Sequence, residues 1–195
     1  MLTTAPDLAT ERLVLRPLRA ADAPRIVLLV NDFEVARYTA TIPHPYDQKM
    51  AEEFVSTQEA SPGAKDRFPG DPDGAVVFGI ECKKDGLLIG CVGLQKTPDG
   101  PELGYWIGKE YWGHGYATEA AARVVRLAFE TYRLPSLIAS AVTINDASHR
   151  VLEKIGFSIS GTGEIHSRAQ NLPLPVIHRR LRSSEWWQAQ ERAAQ

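Results

Sequence analysis

Apolar and polar positions alternate along Arg12-Leu13-Val14-Leu15-Arg16-Pro17, a pattern that predicts a strand closed by its proline. The period then changes. Asp22 reads as a helix N-cap, Pro24 fits the first turn, and Ile26, Leu29 and Val30 fall on one face. Pro43-His44-Pro45-Tyr46 predicts a loop, after which Asp47 opens a second helix carrying Met50, Phe54 and Val55. Residues 61–74 are rich in Pro, Gly and Asp and predict a mobile loop. Two apolar strands, 75–82 and 87–94, follow as a hairpin joined through Asp85-Gly86. A turn at Pro98-Asp99-Gly100 leads into a strand at 103–107.

Further on, Ala117, Ala120, Ala121, Val124 and Ala128 recur at helical spacing. The apolar run 137–142 after Pro135 predicts a buried strand. Asn145 begins another helix, with Ala147, Val151, Leu152 and Ile155 on one face, Gly156 just past its end and Phe157 packing back. A short strand at 157–160, a long loop containing His166, a strand near 174–182 and a helical turn or two at 183–190 complete the reading. Antiparallel strands followed by a strand–helix–strand unit predict a mixed sheet in an α/β fold, one domain of 195 residues with its core at about 10–182.

Chemistry enters at Tyr111-Trp112-Gly113-His114-Gly115-Tyr116-Ala117-Thr118. A strand, a Gly-x-Gly turn and a helix start gather backbone N–H groups that have no partner inside the helix, at the positive end of its dipole. Glycine lets a phosphate or pyrophosphate approach that backbone closely. Hydrophobic residues make up 44% and charged residues 24%, which suits a packed core and not a disordered chain. The net charge of -2 gives no footprint for nucleic acid. The two cysteines, Cys82 and Cys91, sit in apolar strands and read as buried thiols, not a disulfide scaffold. No two histidines have metal-ligand spacing and neither cysteine belongs to a C-x-x-C pair, so no metal is expected. A leader pattern and a long apolar run are both missing from the sequence, so the expectation is a cytoplasmic protein with no membrane partner.

Three motifs together resemble the Gcn5-related N-acetyltransferase (GNAT) superfamily, and within it the ribosomal-protein-alanine acetyltransferase (RimJ/RimL-like) branch. They are Thr10-Glu11-Arg12-Leu13-Val14-Leu15-Arg16-Pro17, then Gly104-Tyr105-Trp106-Ile107 with the glycine turn through Ala120, and Asn145-x-x-Ser148-x-x-Val151-Leu152-Glu153-Lys154-Ile155-Gly156-Phe157. The resemblance implies a mostly antiparallel sheet with a V-shaped split between the fourth and fifth strands, those at 103–107 and 137–142. Acetyl-CoA would lie in the split. The backbone of Tyr105, Trp106 and Ile107 would pair with the pantetheine arm like an added strand. The N–H groups of Gly113, His114, Gly115, Tyr116, Ala117 and Thr118 would hold the pyrophosphate. Trp112 departs from the family, which usually has Gln or Arg there.

The implied reaction is acetyl transfer to an amine in a ternary complex. An alkyl ammonium must lose a proton before it attacks, which calls for a base. Glu102, at the start of the strand facing the site, is the candidate; its alternative is a solvated strand-start carboxylate. A strand N–H near Ile107 is the candidate oxyanion donor. The leaving thiolate needs a proton. Many family members place a tyrosine where this chain has Leu152, and the ribosomal branch points to Ser148 as the acid. Ser148 otherwise only supports the first helical turn. Asn145 is an N-cap by type, and the resemblance adds a hydrogen bond to the pantetheine or acetyl group.

The ring of His114 matters less than its backbone. His149 reads as a solvated helix residue. His44 and His166 lie on loops that either border the acceptor pocket or merely carry them. Trp186-Trp187 reads as a packing pair. The acceptor walls would be 31–47, 61–74 and 161–173, and the acceptor is either a protein or peptide N-terminus or a small amine. A homodimer is a further implication of the resemblance alone. Two other readings stand beside it. An acyl-CoA-binding protein with little or no catalysis rests on Leu152. A Rossmann or P-loop nucleotide enzyme is disfavoured, because the turn lacks the third glycine of the one and the Gly-Lys-Ser/Thr of the other.

Overall fold

The computed structural model describes residues 8–59 and 74–193. Among these, the strands are β1 (Leu8–Ala9), β2 (Leu13–Arg16), β3 (Ala75–Cys82), β4 (Leu88–Thr97), β5 (Gly100–Ile107), β6 (Ser136–Val142), β7 (Ser158–Ser167) and β8 (Leu172–Arg182). They form one sheet in the order β1-β2-β3-β4-β5-β6-β8-β7. Neighbours are antiparallel except β5 and β6, which run parallel and share one registered pair, Glu102 with Ile138. Beyond that pair the ladder stops, so the mixed α/β sheet is split there. The two-residue β1 moves the split from the fourth and fifth predicted strands to β5 and β6.

The helices are α1 (Ala23–Val30), α2 (Phe33–Ala36), α3 (Gln48–Glu59), α4 (Tyr116–Glu130), α5 (Asp146–Ile155) and α6 (Ser183–Ala193). Each face of the sheet has its own core. Ala120, Ala121, Val124 and Ala128 of α4, all fully buried, and Leu152 of α5 pack on Leu15, Phe78, Leu103 and Leu137. Ala23, Ile26 and Val30 of α1 and Ala51 and Val55 of α3 cluster with Leu88 and Cys91 on the other face. Each large apolar side chain buried in this way contributes about 1.5–3 kcal/mol. The small side chains of α4 let it lie close to the sheet, with its N-terminus at the split.

Two caps set α5. Asn145 Oδ1 accepts from the Ser148 N–H at 3.1 Å, and Gly156 ends the helix at φ +104°. Phe157 packs back, its N–H donating to Leu152 O at 2.9 Å.

Five readings are corrected. Asp22 makes no side-chain cap for α1; it receives both terminal nitrogens of Arg16, at 2.7 and 2.8 Å, and the Arg19 N–H at 2.8 Å. Residues 161–167 are not loop, because β7 runs to Ser167 and carries His166 as an exposed strand residue. This is an edge strand whose pairing comes from β8, so its own sequence shows no apolar alternation. Pro173 and Pro175 are tolerated because β8 has there outrun β6, whose last partner is Val176. His149 is buried, not solvated, and both ring nitrogens lack hydrogen-bond partners. Ala147, expected on the buried face of α5, is exposed. The C-terminal helical turn is a helix of 11 residues. Its Trp186 packs on Phe129 with ring centroids 5.6 Å apart, as a packing residue should. Most of the expected loop at 61–74 lies outside the described residues.

Candidate active site

One cavity of about 1270 Å³ occupies the split and runs from the α4 turn to the α1–α3 side of the sheet. At its α4 end, Gly113 and Gly115 adopt φ +80° and +79°, left-handed values that cost other residues roughly 1–2 kcal/mol. The first intrahelical bond of α4 runs from the Glu119 N–H to Gly115 O at 3.1 Å. The N–H groups before it therefore have no acceptor within the helix. Gly113, Gly115, Tyr116, Ala117 and Thr118 line the cavity. The His114 ring does not; it stacks on Tyr116 with centroids 5.6 Å apart.

The turn is braced from outside. Arg12 Nη1 donates to His114 O at 2.8 Å and Arg12 Nε to Glu119 at 2.7 Å, while Thr10 Oγ1 donates to Glu119 at 2.6 Å. Burial pushes the Glu119 carboxyl up, but the Thr10 hydroxyl and the Arg12 N–H and guanidinium outweigh it and leave it below its ordinary value. From inside, the Trp112 indole N–H donates to Ile107 O at 2.7 Å and ties the turn to the end of β5.

Along β5 the peptide groups alternate between its two edges. Gly108 donates to Ile89 O on β4. By that alternation the groups of Trp106 also face β4, and those of Tyr105 and Ile107 face the split. The expected pantetheine edge is thus narrowed: Trp106 offers its side chain to the cavity but not its backbone. The Ile107 carbonyl is taken by Trp112.

Side chains from β5 reach both faces. Leu103, Tyr105 and Ile107 pack toward α4 and α5, whereas Trp106 packs toward α1 and α3, and by strand alternation Glu102 shares the latter face. On the α5 side, Tyr105 Oη lies 2.8 Å from Ser148 Oγ. Burial pushes the Tyr105 phenol up to about 12, against the hydrogen bond to Ser148. On the opposite face, Glu102 Oε1 accepts from Ser140 Oγ at 2.9 Å and Oε2 from Gln95 Nε2 at 3.1 Å. Ser140 Oγ also lies 3.0 Å from His178 Nδ1. Glu102, Asn145, Ser148 and Leu152 all line the cavity. The α1–α3 side of the cavity is walled by Tyr38, Ile42, Tyr46, Met50, Phe54 and Trp106, with Glu53 and Arg168 as further charged groups. Residues from the segments 31–47 and 161–173 line the cavity, but His44 and His166 do not. No cluster able to hold a metal ion occurs among the described residues.

A family model for the acetyltransferase (GNAT) domain matches residues 12–158. The chain belongs to that family. Among its GNAT relatives, the uncharacterized N-acetyltransferase YoaA of Bacillus subtilis (strain 168) is 31% identical over 80% of this chain and 85% of its own. The ribosomal-protein-S5-alanine acetyltransferase of Vibrio fischeri shares the fold at TM-score 0.74 and 18% identity, covering 93% of this chain and 98% of its own. The microcin C7 self-immunity acetyltransferase MccE, solved with acetyl-CoA and AMP, does so at TM-score 0.72 and 15% identity over 89% and 93%. This GNAT acetyltransferase thus has ribosomal-protein acetyltransferases among its structural neighbours.

Sequence reading missed the Tyr105 hydroxyl, the Trp112 indole bond, the Arg12 brace, Ser140 and His178. The serine inside the apolar run Leu137-Ile138-Ala139-Ser140-Ala141-Val142 was the one available signal. Among the described residues no helix is long and apolar enough to cross a membrane.

Proposed function

We propose that this protein moves an acetyl group from acetyl-CoA to a primary amine by direct transfer in a ternary complex. The observation that carries the reading is that one cavity joins three things: the unpaired N–H groups of the α4 turn, the Ser148–Tyr105 hydroxyl pair and the Glu102 carboxylate. The turn fits a pyrophosphate, because its donors are backbone groups and both glycines keep the approach open. The free edge of β5 at Tyr105 fits a pantetheine amide. A structural neighbour holds acetyl-CoA on the same fold.

Glu102 takes a proton from the ammonium, and the freed nitrogen attacks the thioester carbonyl. The Ile107 N–H, facing the split, donates to the developing oxyanion. Collapse expels the thiolate, and Ser148 Oγ–H supplies its proton. The Tyr105 phenol, held protonated through the neutral range, donates to Ser148 Oγ and leaves the serine hydrogen directed at sulfur. Leu152 is the ground for a binding-only reading, but here the phenol comes from β5 instead of the helix. Asn145 spends Oδ1 on the cap and keeps its amide N–H groups for the cofactor.

The acceptor is an amine on an apolar or aromatic body. Aromatic and aliphatic side chains wall its side of the cavity, with Glu53 and Glu102 as carboxylates for the ammonium. A thiol-release assay tests this with 2-phenylethylamine, spermidine and peptides with free N-termini. Release fastest with 2-phenylethylamine is expected. Release with none of them would overturn the enzymatic reading, and a clear preference for spermidine would overturn the acceptor class.

A further inference from the structure

We infer that His178, acting through Ser140, is the positioning residue of Glu102; this rests on the reading of Glu102 as the base. Ser140 Oγ lies between Glu102 Oε1 at 2.9 Å and His178 Nδ1 at 3.0 Å. A hydroxyl has one hydrogen to give, and a carboxylate accepts only. The Ser140 hydrogen therefore goes to Glu102. Nδ1 of His178 must then be the donor to Ser140 Oγ, which in the neutral ring is the Nδ1–H tautomer.

The donors thus point one way, from β8 across β6 to β5. With Gln95 on Oε2, two of the roughly four lone-pair positions of the carboxylate are filled, and the others are left for an ammonium in the cavity. The chain of contacts crosses from Glu102, a member of the one registered pair that joins β5 to β6, to Ser140 two residues beyond its partner Ile138, so it fixes Glu102 where the two halves of the sheet meet. Gly163 on β7 fits the same design. A Cβ there would clash with Nε2 of His178, so glycine is what lets the ring lie in position. Arg180, two residues along on the same face of β8, is engaged with Ser136 Oγ at 3.2 Å and does not compete for Ser140.

The test joins the ¹⁵N spectrum of the imidazole to kinetics with 2-phenylethylamine and acetyl-CoA. The wild-type spectrum should show His178 as the Nδ1–H tautomer, and Ser140→Ala should lose that preference. His178→Leu should lower kcat about threefold to fivefold, the worth of the one neutral hydrogen bond that His178 gives Ser140, with KM for acetyl-CoA held within about twofold. His178→Asn, whose side-chain N–H replaces Nδ1–H, should recover most of the rate. An Nε2–H tautomer in the wild type overturns the inference whatever the acceptor. So does a His178→Asn variant as slow as His178→Leu while Glu102→Gln is strongly impaired. Wild-type kcat in Glu102→Gln would instead overturn the base reading, and the inference with it.

Discussion

The two ends of the cavity are built from different material. At the α4 end the groups proposed to recognise the ligand are backbone N–H donors, and side chains hold the turn: Arg12 and Glu119 from outside, Trp112 from inside. At the Glu102 end the groups proposed to act are side chains, gathered from β4, β5, β6 and β8. A backbone site tolerates exchange of side chains provided its dihedrals survive, so Trp112 can stand where the family has a polar residue. A side-chain site depends on each donor in the chain of contacts.

Mutations should break the two ends differently. Glu102→Gln should have the largest effect, lowering kcat about 10²–10³-fold while leaving acetyl-CoA affinity unchanged in calorimetry. Gly115→Val forces a β-branched residue to φ +79° and should weaken acetyl-CoA binding about thirtyfold, the equivalent of roughly 2 kcal/mol, without touching the Glu102 contacts. Ser148→Ala should slow turnover about tenfold in thiol release, less than the base because a free thiol asks little of its acid.

Tyr105→Phe should cost only about threefold in kcat, roughly the worth of a neutral hydrogen bond. It should also change the alkaline stability. The phenol is raised from 10.0 to about 12, so the folded state disfavours its ionised form. Its stability is intact below pH 10 and is lost as pH rises from there toward 12. Thermal unfolding across that range should show a smaller loss for Tyr105→Phe than for the wild type. Asp22→Asn should have the smallest effect on either end. It removes one of the two carboxylates that hold the buried Arg16, leaving Glu81, and should cost about 1.5–3 kcal/mol of stability, with acetyl-CoA affinity unchanged in what remains folded.

The same difference in material explains what could be read from the sequence. Gly113 and Gly115, the small face of α4, Asn145 and Gly156 each leave a local signature, because positive φ, capping and helical period are properties of a few consecutive residues. The mixed sheet followed from the order of elements along the chain, and the split was implied by the family resemblance alone. Ser140 and His178 are 38 residues apart and meet only through the register of β6 on β8, which no local pattern encodes. Asp22 looked like a cap because its type suits one, and the competing pull of Arg16 lies on another element. His149 looked solvated because a lone histidine gives no sign of the face it will occupy. The β7–β8 hairpin was hidden by prolines that are harmless only where β6 has ended.

Calorimetric titration of the folded protein with acetyl-CoA, beside Gly115→Val and with NAD and ATP as controls, tests the central claim most directly. Saturable binding of acetyl-CoA alone, weakened about thirtyfold by Gly115→Val, is the expected result. No binding by demonstrably folded wild-type protein would contradict the account, since neither the α4 turn nor the split would then hold the acetyl donor.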